Sequence, residues 1–337
     1  MKNVRVVLVP KYMTKEELKE IGIEPAATVE AEYGDKVITG EQITLAHHTK
    51  EYANNPAPCN TPNVPVLEDG ATIVVSHVDL DTLGGIAALL GRKKEDPDFW
   101  NAAEFIDLNG IHHLHEISPK AQKQYLAYSA WCEQNRSGRI TEVTDITQDV
   151  MEKLAAMDKS IDMDQEMVEN GIRWSKEQEQ AIEACLIFEN ENIRVFDSPE
   201  GIFCSAEYYS PKQERIIPAT VVLNGKFKSI TVALADGGKE FQKLGLMTAK
   251  ELVQKIWGPE AGGHPGIAGS PRGKEMDNRD LDLMAITVNN EFLRAQNKKM
   301  ELSEEEYEEI EELKSAVSLR SISDRSDKVL SAAKLSE

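Results

Sequence analysis

Ala71-Thr72-Ile73-Val74-Val75-Ser76-His77-Val78-Asp79-Leu80-Asp81-Thr82-Leu83-Gly84-Gly85 joins a short β-branched run to one imidazole and two carboxylates at alternating positions. The run is bounded by Asp69-Gly70 and reads as a buried strand. His77, Asp79 and Asp81 therefore stand where a central strand opens into a loop. Three ligand-type side chains at that point are costly without a cation to hold. Leu83 to Leu90 is small and apolar, which predicts a helix packed tightly under the sheet.

On the N-terminal side, Met1 to Pro10 reads as a first strand, its apolar part too short for a signal peptide. Thr14-Lys15-Glu16-Glu17 has the capping-box spacing of a helix start. The segment from Asn54 to Pro65 is too rich in proline for helix or central strand and reads as an irregular loop leading into the metal-like strand. His47-His48 reads as a surface pair, with a place at the mouth of the site as the other reading.

On the C-terminal side, Ala103-Glu104-Phe105-Ile106 reads as a second strand ending in Asp107. Adjacent parallel strands in an open α/β sheet bring their carboxyl ends into one crevice, so Asp107 is the candidate carboxylate to bridge two cations. His112, His113 and His115 follow on a loop long enough to fold back over the crevice. His112 or His113 would complete a second metal site; we take His112 as the ligand and His113 as a substrate contact. Carboxylates with imidazoles suit hard divalent ions, so two Mn²⁺ are expected, with Mg²⁺ as the alternative.

From about 118 to 190 the pattern is helical, with helices expected over Ala121 to Trp131, Val150 to Met157 and Lys176 to Phe188, the last after the capping-box spacing Ser175-Lys176-Glu177-Gln178. The period then changes to strands at Ile193 to Phe196, Gly201 to Tyr208, Ala219 to Leu223 and Ser229 to Ala235, with Asn224-Gly225 as a hairpin turn. Thr248-Ala249-Lys250-Glu251 starts a helix running to Trp257. Gly258 to Gly273 holds six glycines and three prolines in sixteen residues and reads as irregular. Gly262 and Gly263 would let backbone N–H groups approach a phosphate, His264 could transfer a proton, and Arg272 offers a bidentate fork. The glutamate-rich stretch from Glu301 to Lys314 reads as a solvated helix before a serine- and charge-rich, flexible tail.

Two of these motifs resemble one superfamily, the DHH/DHHA1 phosphoesterases. His77-Val78-Asp79-Leu80-Asp81 resembles their first metal motif. Gly262-Gly263-His264-Pro265-Gly266-Ile267-Ala268-Gly269 resembles the Gly-Gly-His-x-x-Ala-Ala-Gly signature of the DHHA1 domain. The order and separation of the two also match. The naming Asp-His-His triplet is absent as such, since Ile111 precedes His112 and His113. The resemblance, which in length and order covers about 70–275, implies an α/β fold: a doubly wound, mostly parallel sheet in a DHH-like catalytic domain, expected over 1–190 including the helical connector from about 118. It implies a smaller α+β DHHA1-like substrate domain over 191–300, leaving 301–337 as the acidic helix and tail. It also implies that His77, Asp79, Asp81 and Asp107 are metal ligands and that His264 touches the scissile or terminal phosphate. A last carboxylate ligand would be Asp162 or Asp164.

The expected function is hydrolysis of a phosphodiester or phosphoanhydride bond by metal-activated water, with His264 and Asp107 as the catalytic pair. A metal-dependent amide hydrolase and a degenerate phosphate-binding protein are the alternatives. The 337-residue chain carries a net charge of −20, which repels long polyanions. The partner is therefore a small phosphate compound or short oligonucleotide, not a long duplex. No run approaches a bilayer-spanning length, and Cys59, Cys132, Cys185 and Cys204 form no C-x-x-C pair. Reduced thiols and a cytoplasmic location are expected.

Overall fold

The computed structural model describes residues 4–301 apart from positions 50, 137, 139 and 202. By contacts the chain forms two units, Met1–Ala184 with Cys204–Tyr209, and Cys185–Phe203 with Ser210–Glu337. The glutamate-rich stretch and tail expected beyond Glu301 lie outside the described residues. No described helix is long and apolar enough to cross a membrane.

In chain order the first unit holds β1 (Arg5–Leu8), α1 (Lys15–Glu20), β2 (Ala27–Val29), a ribbon of β3 (Glu32–Tyr33) and β4 (Lys36–Val37), then β5 (Ile43–Leu45) and β6 (Thr72–Val75). Helices α2 (Leu80–Leu89), α3 (Pro97–Asn109) and α4 (Pro119–Gln134), strand β7 (Thr144–Asp145), and helices α5 (Thr147–Ile161) and α6 (Gln165–Cys185) follow. The sheet runs β5-β2-β6-β1-β7. It is parallel except where β7 pairs antiparallel with β1. Side chains alternate across it. Val6, Ile73 and Val75 face a core built with Leu83, Ile86, Phe99, Trp100 and Leu154 from the helices. Val7 and Val74 face a smaller core with Leu18 of α1, Ala31 and Ile38. Each fully buried Val or Ile stabilises by about 1.5–3 kcal/mol, so both faces hold the strands in register.

The β-branched run is thus the central strand expected, and the α1 capping box is present, Thr14 and Glu17 exchanging hydrogen bonds. Helix α2 follows β6 with Asp79 as its N-cap: Asp79 Oδ1 accepts the Thr82 N–H at 2.9 Å. A Cβ on Gly84 would stand 2.4 Å from Cys59 Cβ, so the missing side chain lets the proline-rich loop lie directly on α2.

The strand expected at Ala103–Ile106 is instead part of α3. Asp96 caps this helix and Pro97 occupies its first turn, where the ring's fixed φ is pre-organised for helix. Phe99, Trp100, Ala103 and Ile106 then share its buried face. Ser175 does not begin a helix, because α6 runs through it from Gln165 to Cys185, and Phe188 lies in a strand.

The second unit is α+β. Its elements are β8 (Leu186–Glu189), β9 (Ile193–Ser198), the short β10 (Tyr209–Ser210) and β11 (Arg215–Ile216), β12 (Ala219–Asn224), β13 (Ser229–Leu234), α7 (Asp236–Gln242), α8 (Ala249–Trp257), β14 (Gly262–His264), β15 (Ile267–Gly269) and α9 (Asn278–Glu301). Six strands order as β14-β15-β13-β12-β9-β8, with β12 and β9 parallel and β12 and β13 joined as the expected hairpin. Of the strand expected over 201–208, the end is instead a 3₁₀ turn over Ser205–Tyr208, which belongs to the first unit. The glycine-rich segment is not wholly irregular either, since β14 and β15 pair antiparallel within it.

Candidate metal centre

Three neighbouring parallel strands end side by side: β2 into Glu30, β5 into Ala46-His47-His48, and β6 into Ser76-His77. Glu30 has φ 47°, a left-handed backbone uncommon for a residue with a side chain and a recurrent mark of functional sites. The Ser76 hydroxyl donates to its carbonyl. Glu30 itself is fully buried.

The two oxygens of Glu30 serve two groups of side chains. Oε1 lies 3.1 Å from His47 Nε2 and 3.0 Å from His48 Nε2, and Asp107 completes that group. Oε2 lies 3.5 Å from His77 Nε2, which is 3.1 Å from Asp79 Oδ2. The ligand atoms of each group all fall within 4.8 Å of one another. Asp81 borders the first group through His47, its Oδ2 3.2 Å from His47 Nε2.

Neighbouring groups fix these side chains. Glu32 accepts three successive backbone N–H groups, from His47 at 3.1 Å, His48 at 3.1 Å and Thr49 at 2.6 Å, which pins the histidine loop. Asp81 Oδ1 accepts the Cys59 N–H at 2.7 Å. Thr82 Oγ1 donates to Glu30 Oε2 at 2.6 Å.

The side chains meet with more acceptors than donors, an arrangement that could hold a cation. His47 Nε2 faces oxygens of Glu30, Asp81 and Asp107 at 3.1, 3.2 and 3.4 Å, more acceptors than one N–H can satisfy. Oδ2 of Asp81 and of Asp107 are buried without a well-formed hydrogen bond. Burial and the fields of Glu30 and Asp79 push the Asp107 carboxyl up to about 6, and burial raises Asp81. Burial also opposes the charge on Glu30, but hydrogen bonds from His47, His48 and Thr82 outweigh it and hold this carboxyl below the carboxylate range. The imidazoles respond in turn. Burial disfavours the His47 cation, yet Asp81 and Glu30 push it up to about 10. Hydrogen bonding to Asp79 takes His77 to about 9. Carboxylates and imidazoles meeting this way fit hard divalent cations.

His77, Asp79, Asp81 and Asp107 are therefore brought together, although Asp107 arrives from a helix and Glu30, not Asp107, is the shared carboxylate. His47 is buried within the site, and His48, exposed, stands at its mouth with Nε2 3.0 Å from Glu30 Oε1. His112 and His113 are not brought into these groups. Gly110, with φ 94°, ends α3 and turns the chain into a 3₁₀ segment over Ile111–Glu116. There the His112 ring packs 5.0 Å from that of Tyr208, and His113 Nδ1 lies 2.8 Å from Glu116 Oε1. Asp162 pairs with Lys94, and Asp164 Oδ1 accepts the Met167 N–H at 3.1 Å, so both have local structural roles.

In the second unit Gly262, Gly263 and Arg272 line a cavity of about 900 Å³ with Phe227, Ser229 and Lys274. Gly263 has φ 152°, and a Cβ there would meet the Ile267 carbonyl at 2.6 Å. His264 is exposed on β14, its Nδ1 accepting the Gly266 N–H at 3.2 Å.

Glu30 and the 47–48 pair carried a readable signal. Ala27-Thr28-Val29 and Ile43-Thr44-Leu45 are short β-branched runs, each followed by ligand-type residues, as Val74-Val75 is.

No protein-family profile matches the chain, and no curated protein matches it. Among solved structures it is similar to a pGpG-specific phosphodiesterase, PggH, from Vibrio cholerae, at 10% identity over 83% of this chain and 89% of that one, with a TM-score of 0.44. It is also similar to an exopolyphosphatase-related protein from Bacteroides fragilis, at 10% identity over 76% and 66% of the two chains, with a TM-score of 0.27.

Proposed function

We propose that the chain is a divalent-metal-dependent phosphoesterase, a divergent relative of the DHH/DHHA1 enzymes, that hydrolyses a phosphodiester or phosphoanhydride bond in a small or short substrate. Glu30 carries this reading: one buried carboxylate presents an oxygen to each of two ligand groups, as a bridging ligand between paired cations does. His47, His48, Asp81 and Asp107 would hold one ion, and His77 and Asp79 the other. Mn²⁺ accepts this mixture of oxygen and nitrogen donors, with Mg²⁺ as the alternative. When bound, such a pair supplies Lewis acidity to the phosphoryl group and lowers the pKa of a water.

The chain's own part is to fix the ligands before the ions arrive. Glu32 holds the histidine loop by its backbone, Thr82 fixes one oxygen of Glu30, and the Cys59 N–H orients Asp81. In the second unit His264 and Arg272 offer an imidazole and a planar guanidinium fork suited to phosphate oxygens, and Gly262 and Gly263 open the backbone to the same anion. The net charge of −20 favours a short substrate over a long polyanion. The cysteines of the described residues are free, which fits a reducing, cytoplasmic setting.

A Mn²⁺-supplemented hydrolysis screen tests the reading, run across dinucleotides, cyclic dinucleotides, nucleotides, short polyphosphates and model peptides, with Asp81→Ala as control. Phosphate-ester hydrolysis that falls at least about 100-fold in the variant, a loss of several kcal/mol of transition-state stabilisation, is expected. Phosphate release indifferent to Asp81→Ala, or cleavage of peptides alone, would overturn it.

A further inference from the structure

Beside His77 and Asp79 the first unit holds a cavity of about 580 Å³, within the range of small-molecule sites. It opens at the carboxyl ends of β1 and β6, where Leu8 and Ser76 border it, the place where open α/β sheets bind ligands. Its walls are aromatic: Tyr125, Tyr128 and Trp131 from α4, and Trp174 from α6. The rings of Tyr128 and Trp131 lie within 23° of parallel. Trp174 Nε1 is buried and makes no hydrogen bond within the described chain, a donor that a ligand acceptor would satisfy. Two cations, Arg136 and Lys153, also line the cavity, each beside an acid of its own helical neighbourhood, Glu133 at 3.7 Å and Asp149, with which a ligand phosphate would compete.

None of these groups is needed to bind a metal ion or to hold a bare phosphate chain. Flat aromatic walls, a spare N–H donor and flanking cations are what a heteroaromatic base with an attached phosphate would use. We propose that this cavity receives the base of a nucleotidyl substrate whose phosphate reaches the ligand group at His77 and Asp79. The assignment rests on the phosphoesterase reading and narrows it: the substrate is nucleotidyl, not an inorganic phosphate chain.

Calorimetric titration of the full chain with AMP, GMP and inorganic phosphate, in Mn²⁺ buffer, tests the assignment directly. Trp174→Leu and Trp131→Leu should each weaken AMP and GMP about tenfold, the scale of one base-to-aromatic stack, while shifting phosphate less than about twofold. Trp174→Phe, which keeps a ring but loses the N–H donor, should bind AMP and GMP more tightly than Trp174→Leu and more weakly than the parent. Nucleotides binding no tighter than phosphate, or equal weakening of both ligands in the variants, would overturn it. The two readings fail separately. Ring-dependent nucleotide binding without hydrolysis of any phosphate ester supports the cavity and removes the catalytic reading. Hydrolysis of phosphate esters with no ring-dependent nucleotide binding removes the cavity assignment alone.

Discussion

Glu30→Gln is expected to lower kcat/KM for phosphate-ester hydrolysis by a factor on the order of 10³ or more, because it removes the one carboxylate that both ligand groups share. The substitution conserves shape, and the amide oxygen can still accept the Thr82 hydroxyl that now bonds Oε2 at 2.6 Å. What it loses is charge in a fully buried position. The amide nitrogen also brings a donor to one group, where His47 and His48 or His77 already present theirs. Glu32→Gln is the informative control. Among the described residues Glu32 touches the site through backbone N–H groups of residues 47–49, so its loss should loosen the histidine loop and cost about 10–100-fold, the usual effect of an outer-shell partner. Activity of Glu30→Gln within tenfold of the parent would remove Glu30 from the centre.

The second large effect is on stability. Without cations the first group packs Glu30, Asp81 and Asp107 around His47; the His47 imidazolium offsets the charge of Glu30 and Asp81, and burial and carboxylate repulsion fall on Asp107, where they oppose folding. The sign for Asp107 follows from its raised carboxyl. The folded state keeps the proton up to about pH 6, whereas the unfolded chain releases it near pH 4. The unfolded state then binds fewer protons across that window, so stability falls as pH rises through it, and the penalty is fully present at pH 7. A divalent ion bound by the folded chain reverses this. At a free concentration about 100 times its Kd, each ion adds about 2.7 kcal/mol, or about 5–10 °C in Tm for a unit of this size. Thermal melts at pH 7 with EDTA and with Mn²⁺ check the shift. In EDTA, Asp107→Asn should melt no lower than the parent, and it should lose most of the Mn²⁺ response. A parent protein whose Tm ignores Mn²⁺ would contradict the charge balance drawn here.

The sheet was legible where strands announce themselves by composition. Thr72–Val75 is β-branched throughout and flanked by turn residues, and it carries His77, Asp79 and Asp81 with it. The neighbouring strands are only three residues long, Ala27–Val29 and Ile43–Leu45. Runs that short carry little periodicity, so the signal at Glu30 and His47-His48 lies only in the repeat of a short β-branched run followed by ligand-type residues, which shows once Thr72–Val75 is taken as the template. Ala103–Ile106 misled for the opposite reason: four largely apolar residues fit a strand or one turn of helix equally, and the deciding signal, Asp96-Pro97, lies well upstream. The Gly-Gly-His hairpin hides because a glycine strand has almost no side chains to alternate. Its register is held by backbone pairing of β15 with β13 and β14. The site itself depends on which strand ends become neighbours in space, here β5, β2 and β6, and that order is set by packing of the whole sheet.

Equilibrium dialysis against Mn²⁺, with bound metal counted per chain, tests the centre most directly. Two ions are predicted for the parent and for His112→Ala, and at most one for Glu30→Gln. No tightly bound Mn²⁺ in the parent, or two ions retained by Glu30→Gln while His112→Ala loses one, would contradict a centre built on Glu30.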